Sequence, residues 1–174
     1  MPQPTSTLIQ LFREIVSVRY AKKAAIMWRD RILAGETQNL ADVLGRGTPT
    51  TTHDPVCIHS LGIHMVCPHH FTVSFGHANI AYIPGDRMVG FGRLSALAHA
   101  ATARIILQED ATASIADTLM ETLGCRAAAC VIKAEHPCHR LSHPSAHRST
   151  ATTQAVRGPA SLQRTLRALL AQQS

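Results

Sequence analysis

The chain has 174 residues, of which 45% are hydrophobic and 16% charged, a balance that suits a folded globular chain and argues against a disordered one. Its formal net charge is +6, but the bases are spread over the N-terminal segment and the tail, without a Lys/Arg block and with 4% aromatic residues, so nucleic-acid binding is not expected. The apolar runs are too short for a membrane span, and the odd count of 5 Cys without a secretory signal suits free thiols in a reducing, cytoplasmic setting.

In chain order, residues 6–34 read as helix with a break near Ser17, because Leu8, Leu11, Ile15 and Val18 keep helical spacing and Gly35 stands at the stop. Residues 36–55 carry "GRGTPTTTHDP" and read as a connector, which makes residues 1–50 an arm and connector and residues 51–174 the main domain. Two strand-like runs follow, Val56 to Val66 and Phe71 to Ile83, the second ending at the turn "PGD". Helical spacing returns from Arg93 to Ala103 and from Ala111 to Leu123, where Gly124 is the expected cap. "AAACVIKAEH" and "STATTQAVRG" read as a third and a fourth strand, and Ser161 to Gln172 as a closing amphipathic helix. The order ββααββ predicts an α+β fold, an antiparallel sheet with its helices on one face. The outer edges of such a sheet are unpaired, so association of subunits is expected to cover them.

The chemistry gathers in three short stretches. "CPHH" places Cys67, His69 and His70 at the start of a strand, and "AEHPCH" places His136 and Cys138 at the end of another. Thiolate and imidazole are common zinc ligands, although a Cys-x-x-His pair can also arise by chance in a chain with 11 His. A turn at Pro68 lets Cys67 and His70 converge on one metal with Cys138 as the third ligand, leaving His69 to face a substrate. His136, beside Cys138, stands where a second general acid/base would be. In "LQED", Gln108 and Glu109 read as a purine- or pterin-binding pair, since a carboxylate accepts from two N–H donors, while Glu109 also reads as an ordinary acid at a helix N-terminus, favoured by the dipole.

Taken together, "CPHH", "GHANIAYIP", "GFGRL", "LQED" and "AEHPC", in this order and at these separations, resemble the GTP cyclohydrolase I family. That family reads Cys-Glu-His-His, then "AYIP", "GLSKL", "QVQER" and "AEHxC". The resemblance runs from about Val56 to the C-terminus and extends weakly into the arm at "AAIMWRDRILAG". It implies a tunnel-fold (T-fold) subunit in a ring-shaped homo-oligomer, typically a decamer, with active sites between subunits. It also implies zinc on Cys67, His70 and Cys138, catalytic roles for His69 and His136, and a guanine ring anchored by Glu109 with help from Gln108. In the family, the zinc activates a water that attacks C8 of the purine and opens the imidazole ring with loss of formate.

The departures cluster on triphosphate and ribose contacts. The serine of "GLSKL" is Gly92 here, its lysine is Arg93, and the arginine three positions on is Ala96. The family's arginine after the second cysteine falls on Ser142, and its arm arginine and lysine fall on Lys23 and Ile26. Charge-assisted phosphate contacts contribute roughly 1.5–3 kcal/mol each, so losing three weakens triphosphate binding by about three to six orders of magnitude unless they are replaced. Arg140 and Arg148, with His139, His143 and His147, are the cations that could replace them, and Pro68 stands for the family's glutamate. The expected function is therefore zinc-dependent opening of a guanine-type purine without a triphosphate, with Arg93 the remaining basic substrate contact. A genuine GTP cyclohydrolase I is the first alternative and a non-catalytic zinc or ligand-binding protein the second. Cys57, Cys125 and Cys130 are expected to be plain thiols, and Met27 and Trp28 to pack the arm against a neighbour.

Overall fold

A computed structural model describes residues 4–143 and 149–171. Helices α1 (Pro4–Arg13) and α2 (Val18–Met27) form the arm, and α2 runs on into a π-turn at Trp28–Ile32. The expected break falls at residues 14–17. Gly35 does more than end a helix. A Cβ there would lie 2.2 Å from the Ala100 carbonyl oxygen, and its N–H bonds the Ala103 carbonyl, so only a bare backbone fits. The expected connector contains a short helix, α3 (Leu40–Leu44), capped by Asn39 and burying Leu44 in the core. A two-residue strand β1 (Thr48–Pro49) then pairs with β4 (Arg87–Met88).

Strands β2 (Val56–Val66), β3 (Val73–Ile83), β5 (Ala127–Glu135) and β6 (Ala151–Arg157) form one antiparallel sheet in the order β2-β3-β5-β6. Helices α4 (Phe91–Thr102) and α5 (Gln108–Leu123) interrupt the meander between β3 and β5, and α5 ends on Gly124 in the left-handed conformation. A short α6 (Pro137–Ser142) follows β5, and α7 (Ala160–Ala171) closes the described chain. Gln172, at the expected end of that helix, lies outside the described residues.

The helices do not all share one face, as the chain order had suggested. Ala78, Ile80 and Tyr82 of β3 point into a core with Leu94, Leu97, Ile115 and Leu119 of α4 and α5. The alternate residues Ala81 and Ile83, with Ala127 and Ala129 of β5, pack against Leu166 and Leu170 of α7 on the opposite face. Strands covered on both sides lose the apolar/polar alternation, which is why "ANIAYI" and "AAACVI" are apolar at nearly every position. Strand β3 also starts two residues later than the sequence suggests, because residues 68–70 turn and Phe71 takes φ 54°.

Among the described residues, no helix is long and apolar enough to cross a membrane. In the single chain the arm leaves Leu11, Ile15 and Val18 of the helical spacing exposed among the described residues, together with Ile26 and Met27. Trp28 differs: it stacks on Phe71 of its own chain at 5.3 Å.

Candidate metal centre

Four segments converge at one end of the sheet. The end of β2 delivers Cys67, whose N–H bonds the Thr72 carbonyl while the Phe71 N–H bonds the Cys67 carbonyl, both at 2.9 Å. This single closed turn puts residues 67 and 70 on one side, as a turn at Pro68 requires. The segment before α5 is laid beside it: the Val66 N–H bonds the Arg104 carbonyl and the Ile106 N–H bonds the Val66 carbonyl. That pairing carries the first turn of α5, with Gln108 and Glu109, to the metal loop. The end of β5 delivers His136, and α6 delivers Cys138.

Cys67, His70 and Cys138 each offer a ligand atom within 4.8 Å of the other two. Donors around a tetrahedral zinc lie roughly 3.5–3.8 Å apart, so small side-chain rotations close the set, and a sulfur–nitrogen–sulfur triad suits zinc with a fourth position open. His69 Nδ1 lies 3.9 Å from the Cys67 sulfur, similar to the 3.8 Å of His70 Nδ1, but His69 is not part of the group that includes Cys138. All these residues line a cavity of about 460 Å³, together with Gln108, Glu109 and His136. No lysine or arginine is among its described lining residues.

His136 is held at both ring nitrogens, by Gln108 Oε1 at 2.7 Å from Nε2 and by Ser74 Oγ at 3.1 Å from Nδ1. Burial pushes its imidazole below the ordinary histidine range, against the opposing pull of Glu109 and with a smaller push from His139. Gln108 is buried, and its amide nitrogen donates to the Ile132 and Ala151 carbonyls and to Thr153 Oγ1. Glu109 stays exposed at the mouth of the cavity. Arg93 is not brought to this cavity within one chain; its guanidinium donates to the Val43 carbonyl at 3.0 Å. Arg140 pairs with Glu135 at 2.7 Å and does not line the cavity, whereas His139 does. Pro144, His147 and Arg148 lie outside the described residues. Sequence reading missed Ser74, whose only signal is a polar residue on the inward parity of β3, in step with Ala78 and Ile80.

Residues 13–173 match the family model described as GTP cyclohydrolase I. The chain belongs to the GTP cyclohydrolase I family. It is 41% identical over 118 residues to GTP cyclohydrolase 1 of Chromobacterium violaceum, covering 68% of this chain and 57% of that one. Its identity to GTP cyclohydrolase 1 of Ralstonia nicotianae is 37% over 118 residues, covering 68% and 56%. With the Wolinella succinogenes protein of that name it is 33% over 142 residues, covering 79% and 73%. The matched region thus spans little more than half the length of the first two relatives. Among solved structures, the apo archaeosine synthase QueF-Like superposes with a TM-score of 0.49 at 14% identity, covering 64% of this chain and 98% of that one, a likeness on which no assignment rests.

Proposed function

We propose that this chain is a zinc-dependent hydrolase that opens the imidazole ring of a guanine-type purine at C8. The observation that carries the reading is the convergence of Cys67, His70 and Cys138 on a cavity that also holds His69, His136 and Glu109. A purely structural zinc needs none of the last three. Bound zinc supplies a water acidified to a pKa of about 7.

The chain's own residues do the rest. The Glu109 carboxylate accepts from the two adjacent N–H edges of a guanine, which fixes which end of the purine enters first. His69, exposed at the cavity, is placed to give or take a proton at the reacting ring, and His136 is the second catalytic histidine. Hydrolysis adds one water and breaks one C–N bond to leave a formamide; a second water releases formate.

The favoured substrate lacks a triphosphate. A cavity whose described lining holds no lysine or arginine gives several phosphate charges no partner, and Gly92, Ala96 and Ser142 stand where the family has contacts. The alternative, GTP itself, is favoured by the names of the relatives. In that case the phosphates meet Arg93 of a neighbouring subunit, or Arg140 or Arg148 from the segment after the second cysteine. A T-fold ring is part of the same proposal: the apolar arm surface and the outer edges of β2 and β6 are what subunit contacts would cover. Arg93 is then assigned to an inter-subunit site.

The test is incubation of zinc-loaded protein with GTP, guanosine, guanine and 8-oxoguanine in parallel, following purine absorbance and released acid. Turnover of an unphosphorylated purine with GTP inert supports the reading. Turnover of GTP alone replaces the substrate assignment, and zinc-replete protein inert toward all four makes this a binding protein.

A further inference from the structure

The two partners of His136 differ in what they can do. Gln108 Nε2 faces two backbone carbonyls and the Thr153 hydroxyl, at 3.0, 3.2 and 3.1 Å. A carbonyl only accepts, so the amide nitrogen must sit on that side and Oε1 must face His136. The hydroxyls around it close a circuit. Thr112 Oγ1 donates to the Gln108 carbonyl at 2.6 Å, which leaves it accepting from Thr153 Oγ1, also at 2.6 Å, while Thr153 accepts from the Gln108 amide. Each hydroxyl has one proton, so every direction is assigned. The consequence at the far end is that His136 Nε2 carries a hydrogen and donates it to Gln108 Oε1 at 2.7 Å. In the neutral ring, Nδ1 is then the acceptor, and the fully buried Ser74 hydroxyl, 3.1 Å away, is its donor.

We propose that Ser74 is a positioning residue for the reaction, donating to Nδ1 and so orienting the His136 ring whose Nε2–H tautomer Gln108 fixes. The assignment of a catalytic part to His136 rests on the proposed function; the tautomer and its partners do not. Gln108, placed at the guanine by sequence reading, has its amide engaged inside the protein and acts instead through His136. Ser74 lies on β3 and Gln108 on α5, so the ring is gripped between the sheet and the helix it packs on. A hydroxyl is the one side of this grip that can reverse roles, donating to a bare ring nitrogen or accepting from a protonated one.

The experiment is solid-state 15N NMR on zinc-loaded protein labelled at histidine, with the His136 signals assigned by their loss in His136→Gln. The expected spectrum shows protonated Nε2 and a hydrogen-bonded, unprotonated Nδ1. In Ser74→Ala the Nε2–H signal stays, Nδ1 moves to the position of a nitrogen without a donor, and bound zinc is unchanged. In the same variant kcat on the purine turned over by the parent falls about three- to tenfold with KM unchanged, and Ser74→Thr recovers part of it. A His136 protonated at Nδ1 in the parent, or an Nδ1 signal indifferent to Ser74→Ala, overturns the proposal. If the parent opens no purine, the proposed function fails, while the nitrogen spectra still decide the tautomer and its donor.

Discussion

Trp28 of the arm stacks on Phe71 of the metal loop, rings 5.3 Å apart and 12° from parallel. Phe71 holds φ 54°, a conformation a bulky residue rarely takes, and its N–H closes the turn back to Cys67. The arm therefore braces, from outside, the turn that aligns Cys67 with His70. An aromatic stack contributes about 0.5–1.5 kcal/mol beyond its buried area. Trp28→Ala is expected to weaken zinc binding by up to about tenfold without changing the ligands. Competition with a chelator measures it, and unchanged affinity would show that the turn holds without the arm.

The roles within the site separate by substitution. Cys138→Ser should lose metal and activity together, because it removes one of three donors. His136→Ala should keep its zinc while activity falls about 10²- to 10⁴-fold. Metal analysis beside purine turnover reads both, and zinc loss in the second variant would make His136 part of the metal's support.

Thiol chemistry should divide the cysteines into two classes. Burial pushes the Cys125 thiol up to about 11 and Cys130 further still, so at pH 8 about 0.1% of Cys125 is thiolate. Alkylation of native protein is expected to spare both. Cys138, half-buried at the cavity, should label in metal-free protein and be protected by zinc. Peptide mapping after brief alkylation, with and without zinc, gives the pattern; equal labelling of Cys138 in both would count against its role as a ligand.

Acid sensitivity should trace in part to His99. Partial desolvation, and then the neighbouring His64 ring 5.5 Å away, lower the folded pKa of this largely exposed side chain below the ordinary value of about 6.5, so its share is a small one. Between the two values the unfolded chain binds more protons than the native one, so stability from this residue is present above about pH 6.5 and is lost as pH falls through that window. Thermal melts at pH 7.5 and 5.5 should differ less in His99→Gln than in the parent. An equal difference would place the acid sensitivity elsewhere.

The strands and the donors were legible in the sequence because they depend on neighbours along the chain. β-Branched and apolar runs bounded by "PGD" and Gly124 set the strand and helix limits within two or three residues, and the "CPHH" turn pairs Cys67 with His70 over one turn of backbone. Five motifs in register sufficed to indicate the family. Tertiary structure alone decided the rest, because each of these features joins residues distant in the chain. Strand order brings Cys138 to Cys67, and the pairing of Val66 with the segment ahead of α5 brings Glu109 to both. The two-sided apolar character of β3 and β5 shows that both faces are covered, but which helix covers which face depends on packing, and α7 took the face opposite α4 and α5. Gln108 read as a guanine contact and Ser74 as nothing more than a strand residue, and their meeting at His136 shows only once the sheet and α5 close on its ring from either side.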